Sequence, residues 1–317
     1  MKAVLLDWAT MGPDLDITEL YRLLPDLELY DDTEDDQIAA RIAGAEIVLG
    51  NKVMISETLF SGAPAMRFIG LTATGTDNID LDSAKRHGVA VANIRAYCTQ
   101  SVAEHVFACL LNLAHNIGNY DRDVKNGEWQ HAENFCMLTH RIDELSAMTL
   151  GIVGFGALGQ GVARIAEAFN MDVIVSARPG SNSTPDDRVS FDELLQRADV
   201  ISLHCPLNET TQNLFGTDEF LAMKSSAFLI NTARGGLVDS QALATALQNG
   251  DIAAAAVDVL PKEPPVNGDP LIDYAGNNLI ITPHIAWGTL QARQAAIDEL
   301  TANIASFLEG GDRCRVV

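Results

Sequence analysis

The sequence predicts an α/β protein of two doubly wound domains, each built on a parallel sheet. Three observations predict it. Short apolar runs alternate with amphipathic stretches of helical spacing through most of the chain. One such run, 150–153, leads into the glycine-rich turn Gly154-Phe155-Gly156-Ala157-Leu158-Gly159 and then into a helical stretch. A chain of 317 residues is also too long for one ordinary core, so two domains are expected.

In chain order, apolar runs predict strands at 4–6, 27–30, 47–49, 68–71 and 89–92, with helices between them at 17–24, 34–43, 57–61 and 81–87. Asp80 is placed to cap the last of these helices. From Ser101 to His115 the apolar residues Val102, Val106, Leu110 and Leu113 recur at helical spacing, which predicts a long helix joining two domains. The stretch 116–148, with Trp129 and Phe135, is expected to be irregular; long irregular stretches usually have a function, and a dimer arm is the expectation, against a plain surface excursion. A second unit follows, with strands at 150–153, 173–176, 200–203, 228–230, 254–257 and 279–281. Its helices are expected at 157–169, 191–197 and 241–248. A last amphipathic helix, 290–308, is expected to return to the first domain and make it discontinuous. The domains are therefore drawn as 1–99 plus 288–317, the substrate domain, and 100–287, the dinucleotide domain.

Composition narrows the function. The formal net charge is −22 and the isoelectric point is near 4.5, which argues against nucleic acid or an anionic membrane as partner. No apolar run reaches transmembrane length, and the first residues are too short and soon too acidic for a signal peptide. The five cysteines are scattered with no C-x-x-C pair, so reduced thiols in the cytoplasm are expected, with no metal site. Anionic ligands then need local positive charge, for which Lys52, Arg178 and Arg234 are the candidates.

In the glycine turn, Gly154 permits the tight bend, Gly156 lets the backbone approach a pyrophosphate, and Gly159 lets helix and strand pack closely. The helix N-terminus beyond offers free N–H groups and a positive dipole end to phosphates. The next strand should end in an acid that binds the adenine ribose hydroxyls of NAD, but it reads Ser176-Ala177-Arg178. Without the carboxylate a 2′-phosphate meets no repulsion and Arg178 can pair with it, with Ser176, Ser181 and Asn182 adding hydrogen bonds; NADP(H) is the expected cofactor, NAD(H) the alternative.

Arg234, beside a glycine pair, presents a planar fork of donors suited to a carboxylate. His284 follows a strand end, where ligands bind in such sheets, and a carboxylate partner such as Glu263 would favour its charged, proton-donating form. His105 and His204 lie in apolar elements and read as structural or cofactor-adjacent. Asp258 could accept a hydrogen bond from a nicotinamide carboxamide. In the first domain, Thr74-Gly75 could offer backbone N–H groups to a substrate carboxylate, and Asn51-Lys52 a polar wall.

With these residues assembled, the chain resembles the D-isomer-specific 2-hydroxyacid dehydrogenases along nearly its whole length. The motifs that carry this are Gly154–Gly159, the box Asn231-Thr232-Ala233-Arg234-Gly235-Gly236, Asp258 to Pro264, and Thr282-Pro283-His284-Ile285-Ala286-Trp287. The resemblance implies a flavodoxin-like substrate domain and a Rossmann-type nucleotide domain with an interdomain cleft, and usually a homodimer. It implies catalytic roles for Arg234 on the substrate carboxylate, His284 as acid/base and Glu263 as its partner. Ala157, Leu158, Cys205, Pro206, Thr232 and Ala233 are further expected cofactor contacts. Asn51-Lys52 and His284 to Trp287 look like the glycerate dehydrogenase and hydroxypyruvate/glyoxylate reductase branch, with Trp287 facing a small, polar 2-oxo acid. Another D-2-hydroxyacid specificity, such as D-lactate or a branched 2-oxo acid, stays open. So does a non-catalytic scaffold like the dinucleotide-sensing co-repressors. Glu263 stands where the formate dehydrogenase branch has glutamine, and Ala177 departs from the NAD pattern of many relatives.

Overall fold

The computed structural model describes residues 1–180 and 183–317. Ser181 and Asn182, expected near a 2′-phosphate, lie outside the described residues. The chain divides into two compact units, Met1–Cys98 with Gly288–Val317, and Thr99–Trp287.

The first unit is built on five parallel strands, β1 (Ala3–Leu5), β2 (Leu27–Leu29), β3 (Ile47–Gly50), β4 (Phe68–Leu71) and β5 (Ala90–Ala92), in the order β2-β1-β3-β4-β5. Between them run α1 (Thr18–Leu23), α2 (Asp35–Ile42), α3 (Glu57–Gly62) and α4 (Leu81–His87). A strand alternates its side chains between faces, and a parallel sheet covered on both faces needs apolar residues on each. Val4, Val48, Ile69 and Val91 face one core with Ile38 of α2 and Phe60 of α3. Ala3, Leu5, Ile47 and Leu49 face the other with Leu20 of α1. Asp80 caps α4 as its position predicts, accepting from Ser83 N at 2.9 Å. The C-terminal helix, Leu290–Leu308, lays Leu300 and Ile304 into the second core. Gly70 in β4 makes room for it, since a β-carbon there would stand 2.7 Å from Leu300 Cδ1.

The second unit opens with α5 (Thr99–His115) and α6 (Ile117–Lys125). Six parallel strands follow: β6 (Thr149–Val153), β7 (Asp172–Val175), β8 (Val200–Leu203), β9 (Phe228–Asn231), β10 (Ala254–Val257) and β11 (Leu279–Ile281). Their order is β11-β10-β9-β8-β6-β7, and a parallel bridge from Ser176 to Val189 extends the sheet beyond β7. The helices α7 (Ala157–Ala168), α8 (Phe191–Arg197), α9 (Thr217–Ala222) and α10 (Ser240–Asn249) connect them, and the C-terminal helix of the first unit is α11. Winding reverses between β6 and β8, which makes their carboxyl ends the topological switch point where ligands bind in open sheets.

Two helices depart from the sequence reading. The stretch 116–148, expected to be irregular, contains the nine-residue α6, on which Ile117, Tyr120 and Val124 recur at helical spacing; the stripe is only three residues long and none of them is fully buried. The six-residue α9 buries only Phe220, too little to show a period. Among the described residues no helix is long and apolar enough to cross a membrane.

Candidate active site

The site in the second unit starts from the turn between β6 and α7. Gly154 has φ +97°, and a β-carbon on it would lie 2.5 Å from Cys205 N and 2.6 Å from the His204 carbonyl carbon. The turn is thus pressed against the end of β8, across the switch point. A β-carbon on Gly159 would overlap the Gly154 carbonyl oxygen, so close helix–strand packing also requires glycine there. Gly156 differs: its missing side chain faces open space at the start of α7, where the amides of Ala157, Leu158 and Gly159 precede any intrahelical acceptor. Nearby strand ends carry buried polar atoms without a partner, Thr232 Oγ1 after β9 and His204 Nδ1 after β8. An anionic dinucleotide fits this arrangement of space, free amides and orphaned polar atoms. Burial pushes the Cys205 thiol up to about 11 and the His204 imidazole down to about 4, so both are neutral beside that space. Pro206 is exposed and Ala233 buried.

At the far end of this strip, Ala177 is buried and Arg178 exposed. The Ser176 hydroxyl donates to Ala177 O at 2.6 Å, so its proton is already taken up by the backbone. Sequence reasoning missed Arg188. Ala177 N donates to Val189 O at 2.7 Å, which brings the Arg188 guanidinium over the Phe155 ring of the glycine turn, 4.8 Å from its centroid. No local pattern announces this, because the bridge to Val189 supplies the proximity.

Arg234 follows β9 on a turn stapled by Asn231, whose Oδ1 accepts from Ala233 N at 3.0 Å and whose Nδ2 donates to Arg234 O at 2.9 Å. The guanidinium is half-buried and donates to Ala233 O at 2.8 Å. Among the described residues no carboxylate forms an ion pair with it. The next residue, Gly235, rests on the Leu260–Pro261 backbone so closely that a β-carbon would overlap the Leu260 carbonyl carbon.

That contact joins the arginine loop to the loop carrying the carboxylate. Glu263 Oε1 accepts from Leu260 N at 2.8 Å, and Oε2 meets His284 Nδ1 at 2.6 Å. The imidazole therefore offers Nε2 for proton exchange. His284 holds the left-handed conformation, φ +56°, rare for a residue with a side chain. Trp287, half-buried, donates from Nε1 to His284 O at 3.0 Å. Asp258 is 2% exposed, with its carboxylate turned to this same loop. A pocket of about 450 Å³ lies against Leu260, Pro264, Ile272, Ile281 and His284. Among the described residues no cluster of histidine, cysteine or acidic side chains could hold a metal ion.

The remaining candidates belong to the first unit. Asn51 and Lys52 follow β3, and their backbone amides donate to buried Asp7 at the end of β1, at 2.9 and 2.6 Å. Burial nevertheless raises the Asp7 carboxyl above its usual range, outweighing those bonds. The Asn51 side chain is turned in, 3.1 Å from Thr10 Oγ1, so Lys52 is the exposed member of the expected wall. Thr74 is exposed and Gly75 half-buried in the turn after β4, and Thr74 O accepts from Asn93 Nδ2 at 2.7 Å.

Residues 107–286 match the family model described as the D-isomer specific 2-hydroxyacid dehydrogenase, NAD binding domain. A glycerate dehydrogenase of Methylorubrum extorquens is 40% identical over 275 residues, 87% of this chain and 86% of the relative. A hydroxypyruvate reductase of Blautia hydrogenotrophica is 35% identical over 317 residues, covering 98% of each chain. Among solved structures, a protein of Thermus thermophilus superposes with a TM-score of 0.87 at 32% identity and full coverage of both chains.

Proposed function

Because the chain belongs to the D-isomer-specific 2-hydroxyacid dehydrogenase family, we propose that it reversibly reduces hydroxypyruvate or glyoxylate to D-glycerate or glycolate, with NADPH preferred. The observation that carries the reading is the 2.6 Å Glu263–His284 pair in the same unit as an arginine that has no ion-pair partner among the described residues. A reduced nicotinamide dinucleotide supplies the hydride when bound. His284 Nε2 delivers the proton to the substrate's carbonyl oxygen, while Glu263 holds Nδ1–H and stabilises the imidazolium. Arg234 grips the carboxylate and contributes orientation rather than chemistry. Trp287 limits the substrate to a small, polar acid.

The cofactor preference rests on the absence of an acid at Ala177 and on two arginines, Arg178 and Arg188, near the end of β7. The segment 116–148 is read as a dimer arm because it exposes Trp129, Phe135 and Leu138. The five free cysteines fit a reducing compartment such as the cytoplasm.

The test is the initial rate of hydroxypyruvate reduction with NADPH and then NADH, followed by a panel of 2-oxo acids. Turnover of hydroxypyruvate with NADPH preferred is expected. An NADH preference would discard the cofactor argument and leave the enzyme. Faster turnover of pyruvate or a branched 2-oxo acid would overturn the substrate assignment.

A further inference from the structure

Asp258, just past the carboxyl end of β10, is filled by the loop that carries His284. Its backbone oxygen accepts from His284 N at 2.7 Å. Carboxylate Oδ1 accepts from Ile285 N at 2.9 Å and from the Thr282 hydroxyl at 2.5 Å; Oδ2 accepts from Ala286 N at 2.8 Å. Three successive amides thus converge on one residue. The Thr282 hydroxyl, having given its proton to Asp258, accepts from His105 Nε2 at 3.1 Å, which assigns the His105 proton to Nε2. His105 Nε2 is also 3.8 Å from Asp258 Oδ1. The far end of the loop is tied by Ser101, whose hydroxyl donates to Ala286 O at 2.7 Å. Cys109 stays a neutral thiol, pushed up to about 11 by burial and the Asp258 charge.

We propose that Asp258, backed by Thr282 and His105, is a positioning residue for the general acid: it holds the His284 backbone left-handed and thereby sets the imidazole against Glu263. A non-glycine residue keeps that conformation only where its surroundings over-determine it. Successive amides around a left-handed residue form a concave anion site, and the Asp258 carboxylate occupies it from inside the protein. An asparagine there would fit by shape but would turn an N–H toward at least one donor. An apolar isostere at 282 would remove the hydroxyl that links Asp258 to His105. The catalytic half of this proposal rests on the function proposed above; the anchoring half does not.

The experiment compares wild type with Asp258→Asn, Thr282→Val and Thr282→Ser. It reads kcat and both KM values for hydroxypyruvate reduction, and amide hydrogen exchange at 284–286 in the cofactor-free protein. Thr282→Val is expected to lower kcat about tenfold and Asp258→Asn about 100-fold, as for a misplaced catalytic group. The KM for the 2-oxo acid should stay within about twofold, because Arg234 lies on another loop. Exchange of the Ile285 and Ala286 amides should accelerate in both variants, and Thr282→Ser should restore wild-type behaviour in every readout. Equal losses in Thr282→Ser and Thr282→Val would overturn the relay. A rise in cofactor KM alone, with exchange unchanged, would assign Asp258 to the cofactor instead. If wild type turns over no 2-oxo acid, the function reading fails while the exchange data still decide the anchoring. If Asp258→Asn does not fold, the Thr282 pair carries the comparison.

Discussion

At the scale of single residues, the site separates its histidines by environment. His284 is paired with a carboxylate, whereas His204 bonds Ser202 Oγ at 2.8 Å through Nε2 and is pushed down to about 4 by burial. His204 is therefore no rival proton donor near neutrality. A histidine NMR titration should show one imidazole neutral down to about pH 4, and that signal should vanish in His204→Gln. The unfolded chain takes up the same proton near pH 6.5, so this group's contribution to stability falls as pH drops from there toward 4. Arg234→Lys should lower kcat/KM by roughly 10- to 100-fold, since an ammonium cannot reproduce a bidentate fork worth about 1.5–3 kcal/mol. Legibility at this scale follows sequence proximity. Arg234 and His284 stand out in their local motifs, but His105 and Thr282 meet across 177 positions. Arg188 reaches the glycine turn only through the Val189 bridge.

Elements were legible where burial wrote a pattern. β3 and β8 are buried at every position, and α8 runs over Phe191–Arg197 as its apolar spacing predicts. α6 was not, because it is short and fully buries none of its residues; it is held from outside, by Tyr120 donating to His140 O at 2.8 Å and Asp123 meeting His140 Nε2 at 2.7 Å. The pairing of α3 with α4 is polar and makes a pH-dependent joint. Ser83 Oγ stands 2.5 Å from Glu57 and 2.6 Å from Asp80, and Arg86 bonds Glu57 as well. The Ser83 hydroxyl first, then Arg86, holds the Glu57 carboxyl below its usual value of 4.5. A depressed carboxylate stabilises the fold above its unfolded pKa, and that stability is lost as pH falls through the folded one. Glu57→Gln should accordingly lower Tm at pH 7, with the difference shrinking below about pH 4.5 in thermal scans.

For the whole molecule, a net charge of −22 sets many of the arginines against acids, Arg22, Arg86, Arg197, Arg293 and Arg313 among them, whereas Arg234 is half-buried and bonded to a main-chain carbonyl instead. The two most exposed of the large apolar side chains lie elsewhere: Phe135 is 89% and Leu138 77% exposed, in the segment read as a dimer arm. Phe135→Asp with Leu138→Asp should shift light-scattering mass from dimer to monomer; an unchanged mass would remove the arm from the assembly. Both units also use one device, a buried aspartate at a strand end gathering the amides of a neighbouring loop, Asp7 in the first and Asp258 in the second. Gly235 carries a further consequence, for how such a chain can diversify. Because its backbone lies against Leu260 and Pro261, the segment of Arg234, read as the grip on the acid group, and the segment of Glu263, read as the support of the proton donor, are packed backbone to backbone. A new substrate preference acquired by shifting Arg234 would drag Glu263 with it, so workable changes around 235 should arise with compensating ones around 260, and drift at either place alone should be barred.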